Sequence, residues 1–300
     1  MVSAGFAGTH VAIVTPFRPG GDIDWDAWSR LVDFHVRNGT DGIVVGGTTG
    51  ESPTISDAEL RELVQRAQAQ ASGKLKIIAG AGTNSTAGTV AKVREMSALG
   101  VDGLLLVTPA YNRPTQEGLY RHFEAAAAAS SVPVILYNVP SRTAVDMLPE
   151  TVARLAALPR VVAIKEAVAS MDRIRALRAA CPPDFQVLSG DDATVREAMK
   201  LGCSGVISVT ANVAPGLMSA MIGAALRGEH AEAARLDAKL AGLHEKLFVE
   251  ANPIPVKWAL ARMGLTDDAL RLPLTELSAR YHPEVAAALR QADITLAAAA

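Results

Sequence analysis

Lys165 stands where a charged side chain is costly. It follows the four apolar residues VVAI and precedes Glu166. Such a run predicts a buried strand, and burial disfavours the ammonium form of a lysine. A neutral amine can attack a carbonyl carbon, so Lys165 is a candidate for Schiff-base chemistry. The alternative is a structural ion pair with Glu166 or another acid, and Lys257, in IPVKWAL, is a rival amine. The residues alone leave these alternatives open.

Other apolar runs also end in side chains that could take part in such chemistry. Tyr137 ends the apolar run before that of Lys165 and could transfer protons beside it. Alternatively, it could be an aromatic residue at the strand end whose hydroxyl contacts water or the backbone. Thr48 and Thr49 lie in the glycine-rich segment GGTTGES. Backbone N–H groups in such a turn can converge on an anion, and the ligand could equally be a carboxylate or a phosphate.

Arg142 follows YNVPS (137–141) and could bind a substrate carboxylate with two parallel hydrogen bonds, or it could lie in solvent. The six histidines occur singly, without the HxH or HExxH spacing of metal ligands. We therefore expect no metal.

The elements that must position these residues follow a regular order. Eight short, nearly continuous apolar runs occur in the first 210 residues, as expected for strands buried on both faces of a parallel sheet. The runs are 11–17, 42–47, 76–81, 103–109, 132–138, 161–167, 185–190 and 205–210.

Segments with helical periodicity separate the runs, and their ends carry helix signals. Ser56 and Glu59 have capping-box spacing, Pro149 suits a first helical turn, and glycines such as Gly39 and Gly100 stand where helices should stop. Eight βα units predict an α/β fold, a (β/α)8 TIM barrel, whose active site lies at the carboxyl ends of the strands. An open doubly wound sheet is the alternative, but no G-x-G-x-x-G follows the first run.

The chain turns wholly helical after residue 214, through segments 217–228, 229–248, 255–264 and 274–292. We therefore predict a catalytic barrel over residues 1–228 and a C-terminal helical region, packed on the barrel, over 229–300.

Composition excludes several classes of protein. The 29 Lys and Arg residues nearly balance 31 Asp and Glu residues, which disfavours a nucleic-acid-binding protein. No apolar stretch reaches the roughly 20 residues that a membrane-spanning helix needs, and the N-terminus lacks the layout of a signal peptide. We expect a soluble, cytoplasmic protein.

Several motifs together resemble the dihydrodipicolinate synthase family, within the pyruvate-dependent class I aldolases and lyases. The resemblance runs in order over nearly the whole chain. It rests on VAIVTPF (11–17), GGTTGES (46–52), VTPAYNRPTQEGLY (107–120), ILYNVPSRT (135–143), IKEA (164–167), LSGDD (188–192), GVISVTANVAP (205–215) and LFVEANPIPVKWAL (247–260).

The resemblance implies a barrel enzyme of lysine and diaminopimelate biosynthesis that condenses pyruvate with aspartate semialdehyde. Lys165 would form a covalent imine with pyruvate, so the resemblance implies no cofactor. Tyr137, Thr48 and a neighbouring subunit's Tyr111 would relay protons, so we expect an obligate homo-oligomer, a tetramer built as a dimer of dimers. Further contacts would come from Thr49 to the pyruvate carboxylate, Arg142 to the semialdehyde carboxylate, and the backbone of Gly190 and Ile207.

One departure from the family concerns feedback. Many bacterial members bind lysine through an acid, two histidines and an aromatic residue. The corresponding positions here hold Gly88, Asp57, Leu60 and Ala110. Because a bound ammonium group would lack its usual partners, we expect weak or absent inhibition by lysine.

Two other functions stay open at this point. A sister enzyme such as N-acetylneuraminate lyase shares the barrel and the lysine but takes a sugar-like aldehyde. Arg142 and Tyr111 favour the semialdehyde over that substrate. A non-catalytic barrel that binds a small carboxylate is the alternative from another class, and it would form no imine.

Overall fold

The structure is a computed structural model that describes residues 5–297. Residues 1–4, part of the N-terminus considered above for a signal peptide, lie outside the described residues. The same holds for residues 298–300, the end of the predicted helical region. No helix within the described part is long and apolar enough to cross a membrane.

Eight strands are hydrogen-bonded in chain order into one closed barrel, which confirms the predicted TIM barrel. The strands are β1 (Gly8–Ala12), β2 (Gly42–Val45), β3 (Lys76–Gly80), β4 (Gly103–Val107), β5 (Val134–Asn138), β6 (Val161–Glu166), β7 (Gln186–Ser189) and β8 (Gly205–Ser208). Nearly all of their residues are buried, as the continuous apolar runs require.

The described helices are α1 (Trp25–Arg37), α2 (Asp57–Ala71), α3 (Thr86–Ala98), α4 (Gln116–Ala129), α5 (Pro140–Thr143), α6 (Pro149–Ala156), α7 (Met171–Ala180), α8 (Val195–Lys200), α9 (Pro215–Leu226), α10 (His230–Lys246), α11 (Ile254–Arg262) and α12 (His282–Gln291). Their ends follow the sequence signals. Ser56 and Glu59 form the predicted capping box, Pro149 opens α6, and Gly39 follows α1 with a φ of 71°.

Two predicted elements were wrong in extent. The first strand is Gly8–Ala12 rather than 11–17, because polar Thr9 is buried in the strand while Pro16, which has no N–H to donate, lies beyond it. The last helix begins at His282 and not near residue 274. Pro283 occupies its first turn, and a proline there cannot continue a helix from upstream.

The chain divides into two compact units. The first contains the residues up to Gly8 and Lys76–Ile207, and the second contains Thr9–Leu75 and the residues from Ser208 onward. In the second unit, α10 packs against both α9 and α12. The predicted boundary between residues 228 and 229 remains a prediction.

Candidate active site

Lys165 and Tyr137 lie side by side at the carboxyl ends of β6 and β5. They are register partners in the parallel pair. Lys165 is 5% exposed, and its Nζ lies 4.3 Å from the centroid of the Tyr137 ring. Within the described part of the chain, this amine makes no ion pair and no hydrogen bond. The arrangement presents a buried amine beside a phenol, as nucleophilic attack with proton transfer requires.

Gly190 lies against the side chain of Lys165. A Cβ atom at this position would stand 3.0 Å from Lys165 Cε and 3.1 Å from its Cγ. Because glycine has no Cβ atom, the Lys165 side chain can occupy this space. The Gly190 N–H donates to the carbonyl of Glu166 (2.7 Å), which joins the ends of β7 and β6. Ile207 is buried in β8.

Glu166 does not pair with Lys165, so the structural ion pair considered from the sequence is wrong. Its carboxylate accepts from the Asn138 side chain at 3.1 and 3.2 Å and from the Val168 N–H at 2.8 Å. Arg173 lies 3.6 Å away. Burial raises the pKa of Glu166 to about 7, although these donors act in the opposite direction.

Tyr111 and Arg142 are both exposed. Tyr111, in the loop after β4, is 92% exposed and has a φ of 74°, a left-handed conformation that is uncommon for a residue with a bulky side chain. Arg142 lies on α5, the short helix after β5.

Thr48 and Thr49 lie in the threonine turn, residues 46–51, which follows β2 in the second unit. Thr49 is buried and Thr48 is half-buried. Gly46 has a φ of 68°, and a Cβ there would lie 2.5 Å from Leu60, so the turn needs glycine at its start. Among the described residues, the N–H groups of Thr48 and Thr49 donate to no acceptor. They are available to an anion.

Three residues from the C-terminal segment contact the threonine turn. Lys257 Nζ donates to Glu51 Oε1 at 2.6 Å, the Arg271 N–H donates to Oε2 of the same carboxylate at 3.1 Å, and the Asn252 side chain donates to Thr49 Oγ1 at 3.0 Å. Lys257, the rival amine, is therefore engaged in a fully buried ion pair. Burial lowers its pKa to about 8, although Glu51 acts in the opposite direction.

The sequence reasoning gave no role to Glu51 or Asn252. Both lie within the quoted motifs GGTTGES and LFVEANPIPVKWAL, but those motifs do not show that the two segments meet. Among residues 5–297, no group of three or more His, Cys, Asp or Glu side chains could hold a metal ion.

A model of the dihydrodipicolinate synthetase family matches residues 5–292. The chain belongs to this family. The 4-hydroxy-tetrahydrodipicolinate synthases of Methylococcus capsulatus and Nitrosomonas eutropha are 50% and 51% identical over 287 and 291 residues. These alignments cover 96% and 97% of this chain and 99% and 100% of the relatives.

A solved family structure has the same fold. The chloride-inhibited dihydrodipicolinate synthase from Acinetobacter baumannii, complexed with pyruvate, has a TM-score of 0.95 and 46% identity, and the match covers 97% of this chain and all of that one. The family resemblance inferred from the motifs is therefore confirmed.

Proposed function

We propose that this chain condenses pyruvate with L-aspartate 4-semialdehyde to give 4-hydroxy-tetrahydrodipicolinate, with Lys165 as the Schiff-base residue. The observation that carries the proposal is the buried Lys165 amine, which has no acidic partner among the described residues and lies against the Tyr137 ring. Relatives about half identical over nearly their whole length bear the name of this activity. No metal or separate cofactor is needed for this chemistry.

The reaction balances through an imine. The Lys165 amine adds to C2 of pyruvate and a water molecule leaves. Loss of a proton from C3 gives an enamine, whose C3 attacks the aldehyde carbon, and the aldehyde oxygen takes up a proton to become the hydroxyl. The semialdehyde's amino group then attacks the imine carbon, closes the ring and releases Lys165. In this scheme Tyr137, with Thr48 and Tyr111, moves the protons.

The two substrate carboxylates need separate donors. The free N–H groups of Thr48 and Thr49 and the Thr49 hydroxyl suit the pyruvate carboxylate. Arg142 would bind the semialdehyde carboxylate, and the backbone of Gly190 and Ile207 would contact bound substrate. Holding both acids in one orientation supplies much of the rate of such a condensation.

Tyr111 supports assembly with a second copy of the chain. A tyrosine that is 92% exposed in a strained conformation contributes little to the stability of its own subunit. We propose that it completes the neighbouring subunit's proton relay in a homodimer and that two dimers form a tetramer in the cytoplasm. The catalytic part would be residues 1–228, with 229–300 as its helical region.

We further propose that lysine inhibits this enzyme weakly or not at all. Gly88 lies in the first turn of α3 and offers no carboxylate, and Leu60 is buried on α2. Ala110 has no aromatic ring to contact a ligand. Titration of the purified protein with millimolar L-lysine should leave most of its activity. Strong inhibition would refute this part of the proposal.

The activity is tested by following both substrates by NMR with purified protein. Pyruvate and aspartate semialdehyde should disappear together, with one product formed, whereas N-acetylneuraminate should not be cleaved. Preferred cleavage of the sugar acid would assign the chain to the sister activity. No turnover of either, with no covalent uptake of pyruvate, would favour a non-catalytic barrel.

A further inference from the structure

The threonine turn is held by the side chains of Asn252 and Lys257, which lie 203 and 206 positions from their partners in the sequence. Its last residue, Glu51, is 2% exposed and has a φ of 58°. A residue with a Cβ atom adopts this left-handed conformation at some energetic cost, so the surroundings must hold it there.

The buried ion pair supplies this restraint. Both oxygens of the Glu51 carboxylate are engaged, Oε1 by Lys257 Nζ at 2.6 Å and Oε2 by the Arg271 N–H at 3.1 Å. Lys257 has no exposed surface, and its ammonium group also lies 4.3 Å from the centroid of the Phe17 ring. Because a buried charge cannot easily lose its partner, the ion pair holds the end of the turn to α11.

A second contact orients the hydroxyl of Thr49. The Asn252 side chain donates to Thr49 Oγ1 at 3.0 Å, and Asn252 is itself buried. A hydroxyl group has one proton to donate and two lone pairs. With one lone pair occupied by Asn252, the proton of Thr49 is directed away from the amide and is available to a carboxylate oxygen.

We propose that Asn252 and the Glu51–Lys257 ion pair are positioning residues that hold the donors of the threonine turn in the orientation that binds the pyruvate carboxylate. This inference rests on the proposed function. It makes the segment after α10 part of the substrate-binding apparatus, although none of these three side chains need touch the substrate. Its specific consequence is that changes there weaken pyruvate binding more than they slow the chemical steps.

The first test is Asn252→Ala, with Asn38→Ala as the matched control. Asn38 also donates a hydrogen bond from its side-chain amide, to the carbonyl of Phe34 at the end of α1. We expect Asn252→Ala to raise the KM for pyruvate about tenfold, as loss of one oriented hydrogen bond to a charged group would. The KM for the semialdehyde and the thermal unfolding midpoint should stay close to those of the parent, and Asn38→Ala should leave both KM values unchanged.

The second test addresses the ion pair. Lys257→Met alone leaves a buried, unpaired carboxylate and can prevent folding, so the variant to use is Glu51→Gln combined with Lys257→Met, which buries no unpaired charge. A folded double variant with a raised KM for pyruvate and near-parental kcat supports the proposal. A folded double variant with the parental KM overturns the role of the pair.

Asn252→Ala decides the proposal if the double variant does not fold. A purely structural role would lower the unfolding midpoint or the fraction of active protein while leaving the KM for pyruvate at the parental value, and that result overturns the proposal. Borohydride trapping of pyruvate on the parent protein distinguishes failure of the positioning role from failure of the proposed function. A parent that traps pyruvate while the variants keep their KM refutes only the positioning role, whereas a parent that traps none refutes the proposed function.

Discussion

The pH dependence of stability provides a sharp test of the site, through Glu166, which follows the proposed Schiff-base lysine. Its pKa is raised from 4.5 to about 7, because burial disfavours the carboxylate more strongly than its donors favour it. The charged and titratable groups around it are Arg173, Asp146 and Cys203. The perturbation is Glu166→Gln, which keeps the shape of the side chain and removes its titration.

The direction in which pH changes the unfolding free energy depends on which state binds the proton of Glu166. Below pH 4.5, Glu166 is protonated in the folded and unfolded states alike. Between pH 4.5 and 7 the folded state binds more protons than the unfolded state. The contribution of Glu166 to the unfolding free energy is therefore complete at low pH and is lost as the pH rises through 7. The rise in the pKa of Glu166 from 4.5 to about 7 corresponds to about 3 kcal/mol of unfolding free energy.

Denaturant unfolding at pH 5 and pH 8, at one protomer concentration, measures this quantity. On going from pH 5 to pH 8, Glu166→Gln should lose less stability than the parent, by an amount approaching 3 kcal/mol. Glu59→Gln is the matched control, because the hydrogen bond from Arg271 lowers the pKa of Glu59 to about 2, outside this window. If Glu166→Gln and the parent show the same pH dependence, the reasoning about Glu166 is refuted.

Three further predictions concern the proposed site residues. Gly190→Ala should lower kcat about 10- to 100-fold, because its methyl group displaces the side chain of Lys165, whereas the helical control Gly216→Ala, whose Cβ meets its nearest neighbour at 3.5 Å, should keep full activity. Parental kcat in Gly190→Ala would contradict this. Tyr137→Phe should lower kcat by about 100-fold or more in steady-state assays, and a smaller effect would remove it from the proton relay. Mixing subunits of the nearly inactive variants Lys165→Ala and Tyr111→Phe should restore up to about a quarter of the activity, since half the sites of a mixed dimer are complete. No recovery despite confirmed subunit exchange would place Tyr111 in its own subunit's site.

The fold could be predicted well because a strand that is buried on both faces has a nearly continuous run of apolar residues in its sequence. The exception was β1, where Thr9 and His10 are polar but buried, and no apolar pattern could include them. The pairing of Tyr137 with Lys165 could also be anticipated, since both end consecutive strands and neighbouring parallel strands end at the same edge.

Contacts between distant segments could not be predicted in the same way. The Glu51–Lys257 pair joins residues 206 positions apart. The sequence around Lys257 is helical and apolar, so it showed burial without showing a partner, and Lys257 stayed a rival nucleophile until the structure placed an acid beside it. Tertiary ion pairs of this kind leave no local periodicity to detect.

The proposed function depends on formation of the imine between Lys165 and pyruvate. Reduction with borohydride in the presence of labelled pyruvate, followed by digestion and mass spectrometry of the peptides, measures this directly. We expect one labelled residue, Lys165, and no label when pyruvate is omitted or in Lys165→Ala. Label on Lys257 instead, or none on the active protein, would contradict it.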